Sequence, residues 1–171
     1  MNPITILTGP AAVGKNTIAQ VYATQFCDRC AVIDVDVVRG MLRKPHFAPW
    51  EGSQGLDQHQ LGVKHACMLA KSFLAEGYEV VLLDVVWADL GQLYRQEFVG
   101  HYARIVRLMV SWEELLRRLH ERPHTITDAE AQWVYTTQEL LQDYDYTVDN
   151  TALSPEAVAA WLAALPKSEL S

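Results

Sequence analysis

No apolar run in this chain reaches the roughly 20 residues needed to cross a bilayer, and Met1 leads within three residues into a strand-like run that leaves no room for a signal peptide. A cytoplasmic location is expected. Cysteine is scarce: three residues cannot all pair, which excludes a disulfide framework. Positive charge is also sparse. With 14 Lys and Arg against 21 Asp and Glu, the net charge of −7 argues against broad nucleic-acid binding or attachment to an anionic membrane. Any phosphate-binding cation must therefore sit in a local cleft. Repeats and linker-like segments are lacking as well. What remains is 171 residues, half of them apolar and a fifth charged. That is enough for one domain, spanning 1–171, which buries about 70% of the surface its unfolded chain exposes.

Five β-rich apolar runs, at 4–8, 31–35, 79–85, 103–110 and 144–148, alternate with helical patterns. Several lack in/out alternation, as strands covered on both faces do, so the pattern predicts an α/β fold: a five-stranded parallel sheet with helices on both faces. A first helix begins near Asn16 and carries Ile18, Val21, Tyr22 and Phe26 on one side. A second opens at the capping pair Asp57 and Gln60, has Leu61, Met68, Leu69 and Phe73 as its apolar set, and stops at Gly77. Trp112, Leu115, Leu116 and Leu119 mark a helix cut short by Pro123. Thr127 and Glu130 form a capping box for the next, which carries Trp133, Val134, Leu140 and Leu141. Ser154-Pro155-Glu156 starts the last, with Val158, Trp161, Leu162 and Leu165 as its apolar set. The segment at about 40–56 contains Pro45, Pro49, Trp50, Gly52 and Gly55 and reads as a substrate loop, because it leaves the carboxyl end of the second strand, where ligands gather in such sheets.

The most informative string is Gly9-Pro10-Ala11-Ala12-Val13-Gly14-Lys15, placed between the first strand and the first helix. Four residues between two glycines form a wide turn whose N–H groups converge on an anion. Lys15 reaches the β- and γ-phosphates, and the helix N-terminus adds its partial positive charge. The string reads as a nucleoside-triphosphate site made by Gly9, Ala11, Ala12, Val13, Gly14, Lys15, Asn16 and Thr17. The hydroxyl that usually follows the lysine and binds Mg²⁺ is replaced by Asn16, whose amide oxygen is a hard ligand of acceptable type. Thr17 lies about 100° further round the helix and is expected to point elsewhere.

Asp34 and Asp36, two residues apart, are expected on the same side of the second strand at its carboxyl end. A carboxylate there accepts the proton of an attacking hydroxyl, and Arg39 holds a polar or anionic part of the substrate. The competing reading makes one Asp a helix cap and the other the ion-pair partner of Arg39. Asp84 ends an apolar strand and is the candidate metal carboxylate beside the phosphate loop. Arg118 and Arg122 share a helix face in a lid at about 117–127, from which two guanidinium groups can stabilise a transferring phosphoryl group. Solvated pairs with Glu113, Glu114 and Glu121 are the bland alternative. The string His120-Glu121-Arg122-Pro123-His124 matches a zinc-protease motif formally, but Pro123 breaks the required i, i+4 geometry. Cys27-Asp28-Arg29-Cys30 follows the end of a helix instead of opening one, so neither a redox nor a zinc role is expected.

Together these residues resemble the small P-loop kinases, the group of shikimate- and gluconate-type kinases, polynucleotide 5′-phosphorylating domains and zeta-toxin-like kinases. The resemblance covers nearly the whole chain and implies a three-layer P-loop NTPase fold with ATP and Mg²⁺ as cofactors. Asp36-Val37-Val38-Arg39 is similar to that group's D-x-x-R element, implying Asp36 as general base and Arg39 as a substrate contact. Arg118 and Arg122 resemble its R-x-x-x-R lid. Val148-Asp149-Asn150-Thr151 is similar to its last strand and the turn beside the adenine ring, implying base contacts from Asn150 and Thr151. The expected activity is transfer of the γ-phosphoryl group to a hydroxyl of a small-molecule or nucleotide-like acceptor. The alternative is a nucleotide-binding switch that leaves ATP unreacted.

Overall fold

Every residue of strand β1 (Ile4–Thr8) is buried, which marks it as the centre of a sheet. The computed structural model of the chain describes residues 2–121, 123 and 126–168. Strands β2 (Cys30–Asp34), β3 (Glu79–Asp84), β4 (Ala103–Met109) and β5 (Tyr146–Asp149) join β1 in one sheet of order β2-β3-β1-β4-β5, with every neighbouring pair parallel. The pleat sends alternate residues to opposite faces. Ile4, Ile6, Val80 and Leu82 enter one apolar cluster, while Leu7, Val81 and Leu83 enter the other. Helices α2 (Val35–Arg39), α3 (Gly52–Ala75) and α4 (Leu90–Glu97) cover the first face. On the second lie α1 (Lys15–Gln25), α5 (Trp112–His120), α6 (Asp128–Leu140) and α7 (Pro155–Ala164). Each fully buried aliphatic side chain contributes about 1.5–3 kcal/mol, so two filled faces hold the three layers together. Among the described residues no helix is long and apolar enough to cross a membrane.

The expected element boundaries hold within about two residues for the sheet. Three differences matter. First, the second strand stops at Asp34 and the chain turns at once into α2. Second, α3 begins at Gly52, so Asp57 and Gln60 do not cap it and the irregular segment is shorter than 40–56. Third, the buried face of α3 is Gly55, His59, Gly62, Val63, Ala66, Cys67 and Ala70, whereas Leu61, Met68, Leu69 and Phe73 are 38%, 65%, 42% and 39% exposed. Close approach explains this inversion: a Cβ at Gly55 would lie 2.1 Å from the Ala48 carbonyl oxygen, and one at Gly62 would lie 3.2 Å from Arg39 Cβ. Small residues let α3 sit tightly against α2 and its preceding loop. Helix α4, which was not expected, follows Asp89 but has no side-chain cap hydrogen bond.

The two caps expected later in the chain are formed. Thr127 Oγ1 accepts from Glu130 N at 3.2 Å while the Glu130 carboxylate accepts from Thr127 N at 2.7 Å, and Ser154 Oγ accepts from Ala157 N at 3.2 Å. Thr127→Ala should therefore lower stability by about 0.5–2 kcal/mol, read as a shifted urea midpoint with an unchanged slope. Trp133 and Leu140 do not join the core as expected. Trp133 is half-buried and Leu140 is 71% exposed.

Candidate active site

The loop after β1 owes its path to two close constraints. A Cβ on Gly9 would lie 2.5 Å from the Leu108 carbonyl oxygen, so only glycine lets the chain leave β1 this close to β4. Ala12 at φ 61° and Gly14 at φ 98° then curl the loop back toward α1, with Ala12 accepting a left-handed conformation that costs a non-glycine residue energy. Val13 is fully buried and pins the loop from below. Gly14 caps α1 without any side-chain hydrogen bond, which leaves the first helical N–H groups facing the loop. Lys15 Nζ donates to the Gly9 and Pro10 carbonyls at 2.6 and 3.0 Å, so the ammonium is folded over the loop it serves.

Three clefts meet around this loop. A cavity of about 460 Å³ runs from Ala12, Gly14 and Thr17 to Arg118, Leu153 and Pro155. One of about 180 Å³ lies between Lys15, Asn16 and Thr17 on one side and Asp34, Asp36 and Asp84 on the other. A third, of about 380 Å³, passes from Lys15 and Asp36 to Arg39, Trp50 and Trp133. Lys15 and Asp36 line both the second and the third, placing them at the junction. Thr17 lines the phosphate-sized cleft beside Asn16 and also the large cleft.

Asp34 and Asp36 reach one cleft, but not by sharing a strand face. Asp34 ends β2 and caps α2, its Oδ1 accepting from Asp36 N at 2.9 Å. Asp36 lies in the first turn of α2, and its Oδ1 accepts from Arg39 Nη2 at 3.1 Å. The competing reading, one cap and one ion pair, describes these contacts. A cap signal was present, since Asp preceding a short apolar helix is a favoured N-cap. Burial raises the Asp34 pKa against the opposing effect of the Asp36 backbone N–H. The Asp36 side chain is 66% exposed, whereas Arg39 is nearly sealed, donating from Nη1 to the Phe47 carbonyl at 2.9 Å.

Asp84 lies at the carboxyl end of β3, in register with Thr8 of β1. Its Oδ1 accepts from His59 Nε2 at 2.7 Å and Val85 N at 2.8 Å, and its Oδ2 accepts from Tyr94 Oη at 2.8 Å. Burial works to raise the Asp84 pKa, but the His59 charge and these hydrogen bonds outweigh it and hold the carboxyl below the usual carboxylate range. Burial likewise opposes charge on His59, and Asp84 overcomes it to raise the imidazole pKa. Trp87 Nε1, which can only donate, lies 3.0 Å from His59 Nδ1 and bonds to it while the imidazole is the neutral Nε2–H tautomer, a contact that opposes protonation of the ring. His59, Tyr94 and Trp87 were missed by sequence reasoning. Their partners are set by the fold, and no spacing in the chain announces them.

At the opposite end, Asn150 is buried and its Nδ2 donates to the Val13 carbonyl at 2.7 Å, so its amide fastens the loop. Arg118 Nη2 donates to the Asn150 and Thr151 carbonyls at 3.1 and 3.3 Å, and its Nε donates to Glu114 at 2.7 Å. Arg118 thus lines the large cleft rather than the phosphate-sized one. Thr151 Oγ1 accepts from Ser111 N at 2.9 Å. Arg122, its expected lid partner, and His124 of the rejected zinc motif lie outside the described residues. Cys27, Cys30 and Cys67 are free thiols.

A glycine-flanked loop at the carboxyl end of the central strand of a parallel five-stranded sheet, covered by helices on both faces, defines a three-layer α/β fold of the P-loop type. The chain shares that fold with a sugar kinase from Janibacter sp. HTCC2649 (TM-score 0.72, 13% identity, covering 95% of this chain and 92% of that one). It is likewise similar in fold to the Mycobacterium tuberculosis APS kinase (TM-score 0.66, 13% identity, 94% and 95% covered) and to shikimate kinase from Bacteroides thetaiotaomicron (TM-score 0.63, 17% identity, 95% and 97% covered). No protein-family model matches the sequence, and neither does any curated protein.

Proposed function

We propose that this chain is an ATP- and Mg²⁺-dependent kinase that transfers the γ-phosphoryl group to a hydroxyl of a small-molecule or nucleotide-like acceptor. The observation that carries this reading is a chain of three clefts, the large one joined to the second through Ala12, Gly14 and Thr17 and the second joined to the third at Lys15 and Asp36, since phosphoryl transfer requires donor and acceptor to be lined up across one point. Kinases share the fold, and one of the solved relatives was captured with AMPPNP and APS. Lys15 and the loop N–H groups hold the phosphates, Asp36 takes the acceptor proton, and Arg39 keeps Asp36 in place. The large cleft beside Arg118, Asn150 and Thr151 receives the nucleoside. Arg118, with Arg122, is proposed to neutralise charge on the transferred group once the lid closes. Cytoplasmic placement remains part of the proposal.

The oxygen donors around the phosphate-sized cleft suit a hard cation. Asn16 supplies an amide oxygen, and Asp34 and Asp84 supply carboxylates. Among the described residues, no group of three His, Cys, Asp or Glu can hold a metal unaided. That fits Mg²⁺, which is usually held by one or two carboxylates together with waters and substrate phosphates. The ion would neutralise phosphate charge. Asp84 is already engaged through both oxygens, which suits contact through water.

The replacement of a hydroxyl by Asn16 also supports a second reading, a nucleotide-binding switch without transfer. Isotope-labelled ATP incubated with Mg²⁺ and a panel of alcohols separates the two readings. Labelled product is expected, with Lys15→Ala lowering its rate about 10²–10³-fold, as loss of one preorganised charge-stabilising donor does. Tight ATP binding with no transfer to any acceptor would favour the switch.

A further inference from the structure

Resting on the kinase reading, we infer that the acceptor is an uncharged alcohol carrying a flat aromatic or heteroaromatic ring. The cavity that continues from Lys15 and Asp36 has a volume of about 380 Å³, within the range of small-molecule sites. Its far wall is aromatic. Trp50 and Trp133 meet edge to face with ring centroids 6.1 Å apart at 68°, and Trp87 supports Trp133 from behind at 5.1 Å and 75°. These rings come from the loop before α3, from α6 and from the segment after β3, so the fold brings them together. Trp87 is further fixed through Nε1 to His59, leaving Trp133 on a supported surface. Half-buried indoles held in this way offer a ring large contact area at little entropic cost. Pro49, Val85, Ile126 and Val134 extend the apolar lining, while His46 and His59 add polar edges.

The charges in the cavity are already committed. Arg39 Nη1 and Nη2 donate to Phe47 and Asp36, and its Nε, though lacking an acceptor, is sealed from solvent. Lys15 is bonded to the Gly9 and Pro10 carbonyls and is assigned to the phosphates. Among the described lining residues, neither permanent cation is placed to pair with a carboxylate or phosphate on the acceptor, and Asp36 would repel one. Burying an unpaired anion there is costly. A cationic alcohol would gain from the indole faces, but Asp36 is already paired with Arg39 and leaves its charge no uncommitted partner. A polyol would leave hydroxyls facing the indoles, Pro49, Val85, Ile126 and Val134. A neutral ring with one hydroxyl directed at Asp36 satisfies the wall and the charge pattern together.

The test is tryptophan fluorescence and ligand-observed NMR on the intact chain with AMPPNP and Mg²⁺. The probes are 2-phenylethanol and thymidine as neutral ring-bearing alcohols, shikimate and gluconate as anions, choline as a cation and glucose as a polyol. Saturable binding of a ring-bearing alcohol is expected, weakened roughly tenfold by Trp133→Leu or Trp50→Leu and retained by Trp133→Phe. A parallel ATP titration of each variant reports whether it is folded. Binding of only the anions, choline or glucose overturns the inference, as does silence from both ring-bearing alcohols at millimolar concentration or undiminished ring binding in both leucine variants. Failure of the wild-type chain to bind ATP would instead remove the kinase reading itself.

Discussion

Replacing Asp36 with Asn should lower the rate of phosphoryl transfer by about 10²–10⁴-fold, the range associated with losing a positioned general base. The amide keeps an oxygen for Arg39 Nη2, so the first turn of α2 and the pairing that orients it survive the substitution. What it cannot do is accept a proton from an attacking hydroxyl. Loss of transfer with ATP affinity retained would place the residue in the chemical step, because Asp36 lines the cavity proposed for the acceptor as well as the phosphate-sized cleft. Steady-state assays with labelled ATP and the best acceptor are sufficient. A variant that kept transfer within about threefold of the parent would remove Asp36 from the role of base.

The second large effect concerns stability. His59→Ala should destabilise the fold by about 3–5 kcal/mol, since it strips a buried carboxylate of its main partner. Both side chains of the pair are 1% exposed, and water cannot readily substitute. Tyr94→Phe removes only the donor to Asp84 Oδ2 and should cost about 1–3 kcal/mol, giving a graded comparison at one site. The pH dependence has a defined sign. Because the fold depresses the Asp84 pKa from its ordinary 3.8, its stabilising contribution is complete above that value and is lost as pH falls through the lower folded one. Without His59 this acid limb should flatten. Urea unfolding at several pH values reads both effects, and a loss below about 1 kcal/mol for His59→Ala would show that the pair contributes little.

The parts of this molecule legible in the sequence are those written in neighbouring residues. The glycine-flanked loop between β1 and α1, the capping box at Thr127 and Glu130, and the strand–helix alternation each depend on contacts within a few positions, and each is found where local chemistry put it. Where long-range packing decides, the reading failed. On α3 the large apolar residues looked like the buried face, but the tight fit against α2 demands Gly55, Gly62 and Ala66 there instead. Asp34 and Asp36 were expected on one strand, but that strand ends at Asp34, two residues too early to hold both. His59 with Asp84, and Trp87 with Trp133, are separated by 25 and by 46 positions, so periodicity had nothing to report about them.

The amide of Asn150 holds the loop at Val13 across 137 positions of chain. During synthesis from the amino terminus, the loop after β1 is made long before the amide that fastens it. Until Asn150 has left the ribosome, the loop lacks this latch. Its final shape is therefore a late, long-range event, although its sequence is local.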